Sequence, residues 1–125
     1  MKIIHPKGRK IKLGRRADER WHLFRTLLTQ LVTHERIKTT TAKANFLVPT
    51  ADRLIAKAKR VVFKGENQHK PEVYKILRTQ EARDKLFNEI VPRLEHRDGC
   101  FTNTKFLRRR KGDNAPVSYI QIWGK

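Results

Sequence analysis

Histidines and carboxylates are the residue types that most often do chemistry, and here they are poorly grouped. Five histidines are spread over 125 residues, and no two have metal-ligand spacing with a third ligand near them. The adjacent His34 and Glu35 have the types of a general base and its orienting carboxylate. A helix end is the simpler interpretation, because the helix dipole favours a charged histidine there. No phosphate-binding loop, dinucleotide-binding glycine pattern or nucleophile elbow is found. We therefore expect no enzymatic activity, no metal and no cofactor.

Positive charge is the dominant feature of the sequence. The chain has 30 Lys and Arg against 12 Asp and Glu, a net charge of +18 and a pI near 10.9. Self-repulsion of this size destabilises a fold, so the charge predicts a polyanionic partner rather than a merely solvated surface. The cations concentrate near the N-terminus and again close to the C-terminus. The predicted contacts in these two regions are Lys2, Lys7, Arg9, Lys10, Lys12, Arg15, Arg16 and Arg20, then Lys105, Arg108, Arg109, Arg110 and Lys111.

Nucleic acid fits this charge better than a membrane surface does. Arginine can hold a phosphate with two hydrogen bonds, and lysine supplies a mobile point charge. A membrane-binding helix needs an apolar stripe, and Ile3, Ile4, Ile11 and Leu13 form none. An irregular arm and a basic loop suit folded RNA, and no DNA recognition helix stands out.

Two other functions stay open at this level. A DNA-compacting architectural protein would bind duplex DNA as well as structured RNA, which a competition assay decides. An RNA-processing enzyme would use His34 and Glu35, and its turnover of RNA would be abolished by His34→Ala.

Hydrophobic periodicity predicts the elements that position these cations. Apolar residues at three- and four-residue steps indicate a helix from Asp18 to His34. A second helix follows the threonines at 39–41, and Pro49 is expected to kink or break it near Asn45. Two further helices are expected at Pro71–Arg78 and from about Ala82 to Pro92. The predicted strands are Arg36–Thr39, Cys100–Leu107 and Val117–Trp123, with a long basic loop over Arg108–Pro116.

These elements predict an α+β fold. We expect a two-layer domain in which about four helices pack on a small mixed three-stranded sheet, preceded by an irregular basic N-terminal arm. The arm is assigned to residues 1–17 and the single domain to residues 18–125. No apolar stretch is long enough to span a bilayer, and the single cysteine excludes an internal disulfide.

The threonines at 39–41 have two interpretations. Their hydroxyls and the following helix N-terminus form a typical anion site. Helix capping combined with strand propensity explains the same residues without a ligand.

Two segments resemble a known family. Residues 31–44, LVTHERIKTTTAKA, are similar to the pattern L-V-x-H-E-x-I-x-T-T-x-x-K-A, and residues 112–122, GDNAPVSYIQI, to the closing strand G-D-x-A-P-x-x-Y-I-E. Both patterns belong to the bacterial-type family of ribosomal large-subunit protein seventeen. Residues 97–103, RDGCFTN, depart from the family's R-x-G-G-Y-T-R, and the arm is longer than usual.

The resemblance implies a structural protein without enzymatic activity. It would bind large-subunit ribosomal RNA near the polypeptide exit tunnel and contact neighbouring ribosomal proteins. We expect no membrane, small-molecule substrate or self-association. The departures from the family pattern favour a mitochondrial ribosome over the bacterial cytoplasm. The positions that match the family pattern are implied to be further RNA contacts: Arg25, His34, Lys38, Thr39, Thr40, Lys43 and Arg97.

Overall fold

The computed structural model describes residues 17–124. The expected arm lies outside this range, apart from Ala17, the first residue of α1. The helices are α1 (Ala17–His34), α2 (Thr41–Lys64), α3 (Lys70–Ile76) and α4 (Gln80–Lys85), and the strands are β1 (Arg36–Thr40), β2 (Thr102–Arg109) and β3 (Pro116–Ile122). A 3-10 turn, Asn67–His69, precedes α3, while a π-helical segment, Leu86–Ile90, and a short helical turn, Val91–Arg93, follow α4.

Helix α1 forms where the apolar spacing predicts it. Phe24, Leu28 and Leu31 recur on one side and are at most 2% exposed, so this side faces the core. The helix ends because Glu35 takes a left-handed backbone conformation with φ of 64°. This turn sends the chain directly into β1.

Helix α2 runs through Pro49 without interruption, so of the two expected effects, a kink or a break, the break is wrong. Proline removes one backbone hydrogen bond from a helix. Eight residues of α2 are buried, on both sides of the proline, and this packing holds the helix together. The hydroxyl of Thr50 also donates to the carbonyl oxygen of Phe46, at 3.4 Å. The helix ends at Gly65, whose φ of 67° suits glycine.

The sheet has the order β1-β3-β2 and is antiparallel throughout. The expectation of a mixed sheet is wrong, because β3 lies in the middle and runs opposite to both neighbours. Strand β2 continues to Arg109, with a bulge between Phe106 and Arg108. Arg108 and Arg109 therefore lie in a strand and not in the predicted loop.

The core lies between the helices and one face of the sheet. Ile120 and Ile122 of β3 are fully buried and share a cluster with residues of α1, α2 and the π-helical segment. The opposite face carries Arg36, Lys38 and Lys105, all exposed. This arrangement confirms the predicted two-layer α+β fold. Within residues 17–124, no helix is both long and apolar enough to cross a membrane.

Candidate nucleic-acid interface

A basic groove lies at the end of the sheet where β1 leads into α2. Thr40 of β1 and Arg108 of β2 both pair with Val117 of β3, one on each side. This pairing brings two segments far apart in sequence to one place. The groove has a volume of about 570 Å³ and is lined by Lys38, Thr39, Thr40, Lys43, Arg108, Arg109, Arg110, Lys111 and Val117. Eight of these nine residues are predicted RNA contacts.

Six cations line what we call the basic groove, and no described acidic residue does. Four of the six have side chains without a hydrogen-bonding or ionic partner among residues 17–124: Lys38, Lys43, Arg108 and Lys111. Clustered like charges repel each other, so the groove attracts an anion strongly. Its chemistry suits phosphate groups spaced along a chain.

The N-terminus of α2 opens into the basic groove. The Thr40 hydroxyl accepts a hydrogen bond from the Lys43 backbone N–H at 3.5 Å, so Thr40 caps the helix. Thr41 contacts Ser118 through their hydroxyl oxygens at 2.6 Å, which fixes the helix start to β3. The capping interpretation of the threonines is confirmed for Thr40. The helix dipole adds a partial positive charge at the same place.

The tip of the β2–β3 hairpin carries its own ion pair. The guanidinium of Arg110 donates two hydrogen bonds to the Asp113 carboxylate. That interaction, with a hydrogen bond from the Ala115 backbone, lowers the pKa of Asp113 to about 2. Gly112 and Asn114 have φ values of 101° and 59°, as a tight turn requires. Arg110 therefore shares its charge with Asp113, so the hairpin cations that line the basic groove without a described partner are Arg108 and Lys111.

Other predicted contacts lie away from the basic groove. Arg20 and Arg25 are on α1, and Lys105 is on the outer face of the sheet. Arg97 is occupied within the protein, because its guanidinium lies 4.2 Å from the Trp123 ring centre and its Nε donates to the Cys100 carbonyl. Outside the described residues lie Lys2, Lys7, Arg9, Lys10, Lys12, Arg15 and Arg16.

His34 and Glu35 do not form a catalytic pair. His34 is exposed, whereas Glu35 is 6% exposed and binds Arg93 and Lys85. Burial alone would raise the pKa of Glu35. The hydrogen bonds and charges of Arg93 and Lys85 outweigh burial, so the pKa lies below its usual value. Glu35 thus joins the α1–β1 corner to the end of α4 and to the helical turn that contains Arg93. Among residues 17–124, no group of three potential metal ligands occurs either.

Replacing Glu35 with glutamine should destabilise the fold by about 2–3 kcal/mol at pH 7, because two partly buried cations lose their anion. Because the pKa of Glu35 is lowered in the folded state, its carboxylate contributes fully to stability above the ordinary pKa of glutamate. That contribution is lost as the pH falls through the folded-state pKa. Urea unfolding at pH 7 and below pH 4 measures both effects. The exposed Glu89→Gln is the control, expected within about 0.5 kcal/mol of wild type. Equal stability of Glu35→Gln and wild type at pH 7 would exclude this role.

Sequence reasoning did not single out Arg36, and it assigned Tyr119 to the closing strand without deciding between a core position and base stacking. The alternation of Arg36, Ile37 and Lys38 was a usable signal, because alternate residues of a strand share a face. The position of Tyr119 between Lys38 and Lys105 depends on pairing with both neighbouring strands. No local pattern carries that information.

A family profile and individual relatives of the chain point to the same protein family. A family profile described as ribosomal protein L17 matches residues 23–123. The chain is 36% identical over 111 residues to large ribosomal subunit protein bL17 of Thermomicrobium roseum, covering 89% of this chain and 92% of the relative. It is 37% identical over 115 residues to bL17 of Shouchella clausii, covering 89% and 96%.

Other relatives are longer than the chain. The protein of the same name from Geobacter metallireducens is 38% identical over 111 residues, 89% of this chain, but the match spans only 60% of the relative. For Desulfosudis oleivorans the corresponding share of the relative is 52%. The matches nevertheless cover nearly all of the described fold. The chain therefore belongs to the ribosomal protein L17 family.

Proposed function

We propose that this protein is a structural constituent of the large ribosomal subunit and supports translation by binding large-subunit ribosomal RNA. The observation that carries this proposal is the basic groove, where six cations face one opening and four of them have no described partner. Neighbouring ribosomal proteins are the other expected partners. A position near the polypeptide exit tunnel is proposed from the family resemblance.

The mechanism is electrostatic and geometric. The arginine guanidinium groups bind phosphates in a fixed orientation, and the lysines adjust to nearby phosphates. Binding releases the counterions condensed on the RNA. Because the groove is built from β1, α2 and the hairpin, RNA bound there is held against a rigid frame. Arg20, Arg25, His34, Arg97 and Lys105 stay predicted contacts, together with the N-terminal arm.

RNA is preferred over duplex DNA for a structural reason. The groove is assembled from a strand end, a helix N-terminus and a hairpin, whereas a DNA reader of the helix-turn-helix kind lays the side of a helix into the major groove. Folded RNA offers phosphates from several neighbouring segments, which suits this arrangement. The named relatives are bacterial proteins, so they lend no support to the mitochondrial expectation. The expected lack of self-association stays a prediction.

A competition assay tests the choice of partner. Full-length protein is bound to a labelled large-subunit ribosomal RNA fragment, and unlabelled RNA or duplex DNA with the same number of phosphates is added. We expect unlabelled RNA to displace the labelled fragment at a concentration at least about ten times lower than duplex DNA does. Both competitors can make non-specific phosphate contacts, but only folded RNA also matches the shape of the groove. Equal competition by the two polyanions would favour the DNA-compacting alternative instead.

A further inference from the structure

The outer face of the sheet is a second exposed surface. The strand pairing places on this face Arg36 and Lys38 of β1, Tyr119 and Gln121 of β3, and Asn103 and Lys105 of β2, and Arg108 joins them beyond the β-bulge. Four of these seven are exposed cations, Asn103 is exposed and uncharged, and the two β3 residues are half-buried. No described acidic residue occurs at these positions. The surface is therefore positively charged with an aromatic ring near its centre.

Tyr119 and Arg36 form a stack on this face. The guanidinium carbon of Arg36 lies 3.8 Å from the centre of the Tyr119 ring, a distance typical of a cation–π contact. Arg36 itself is exposed. A guanidinium is planar, so the stack offers a flat, delocalised surface to a ligand. Lys38 and Lys105 pair with Tyr119 from opposite sides.

This face is continuous with the basic groove. Lys38 and Arg108 line the groove and also belong to the outer face. A nucleic-acid strand whose phosphates lie in the groove would therefore reach the Arg36–Tyr119 stack within one or two nucleotides. Unpaired RNA bases commonly stack on aromatic rings and on arginine planes.

We propose that the Arg36–Tyr119 stack binds an unpaired nucleobase of the RNA whose backbone occupies the basic groove. This inference rests on the proposed function and adds the chemical form of the ligand, a single-stranded nucleotide rather than a duplex. Duplex RNA keeps its bases stacked on each other, so it presents sugars, phosphates and base edges to a flat surface but no base face. The positive charge and the exposed planar stack together favour a flat, electron-rich ring that is linked to phosphate.

An abasic oligonucleotide provides the test. Full-length protein is titrated with a 12-nucleotide oligoadenylate and with an abasic ribose-phosphate chain of the same length and charge. We expect the wild type to prefer the base-bearing chain by about 5- to 150-fold, the range found for base–aromatic stacking. The double variant Arg36→Gln, Tyr119→Leu should lose this preference, while Tyr119→Phe keeps it because its ring still stacks.

Lys70 and Tyr74 supply the matched control. Lys70 Nζ lies 5.6 Å from the Tyr74 ring centre, on another part of the surface, so Lys70→Gln, Tyr74→Leu removes the same charge and the same ring. It should keep the full preference for the base-bearing chain. Circular dichroism and melting temperature verify that each variant is folded. The ratio of the wild type's affinities for the base-bearing and abasic chains tests the site even if a variant does not fold.

The outcomes separate this inference from the proposed function. If the wild type binds both chains equally, or if the folded double variant retains the preference, the nucleobase site is wrong and the phosphate-binding groove stands. If the wild type binds neither chain, the proposed function itself fails. A preference that disappears in the double variant and survives in both Tyr119→Phe and the control supports the site.

Discussion

Binding of the full-length protein to large-subunit ribosomal RNA should weaken by roughly 10³–10⁵-fold when the salt concentration rises from 50 to 200 mM, if about 6–10 phosphates are engaged. The six cations of the basic groove account for the lower end of that range. Each engaged phosphate releases a condensed counterion, and added salt opposes that release. Filter binding at several potassium concentrations gives the slope directly. An affinity that hardly changes with salt would contradict an electrostatic interface.

Neutralising the four unpartnered groove cations should lower RNA affinity by about 10³-fold near 0.1 M salt, since each phosphate contact contributes about 0.7–0.9 logarithmic units there. The variant combines Lys38→Gln, Lys43→Gln, Arg108→Gln and Lys111→Gln. Its salt slope should also fall by about 3–4. The melting temperature should change little, because these side chains have no described partner to lose.

A matched variant controls for net charge. Exposed cations far from the groove are replaced in the same number: Arg60→Gln, Lys64→Gln, Lys70→Gln and Lys75→Gln. Both variants have four fewer positive charges, so any difference between them reports position. We expect the control to lose at most about tenfold in affinity. Equal losses in the two variants would mean that RNA is attracted by overall charge and not by the groove.

Local patterns were sufficient for most of the fold. The apolar spacing of α1 reflects a single buried side, so its limits were predicted almost to the residue. The limits of β2 were less predictable, because only Thr102 of this edge strand is buried and its remaining residues give no alternating signal. The continuity of α2 through Pro49 was not predictable, because the strength of packing around a helix cannot be judged from the helix alone.

The π-helical segment Leu86–Ile90 also has no clear sequence signature. It is held by the burial of Leu86 and Ile90, and the flanking Lys85 and Arg93 both bind Glu35. These contacts link residues about fifty positions apart. Only the folded chain reveals them.

The sequence predicted most residues of the candidate interface but not that they lie together in one groove. Charge density identified the hairpin cations, and family resemblance added Lys38 and Lys43. That they line one groove depends on Thr40 and Arg108 pairing with the same residue, Val117. Sequence also gave equal weight to Arg110, although Asp113 partly neutralises it. The Arg36–Tyr119 stack depends on strand order and was not predicted.

Co-sedimentation tests the central claim most directly. The full-length protein and the four-cation groove variant are expressed with the same tag in the source cell, and extracts are separated on sucrose gradients with a moderate-salt wash. The account predicts that the wild-type protein travels with the large ribosomal subunit and withstands the wash, whereas the groove variant moves to the top of the gradient. A wild-type protein absent from the large-subunit fraction, or a groove variant retained there as firmly as the wild type, would contradict it.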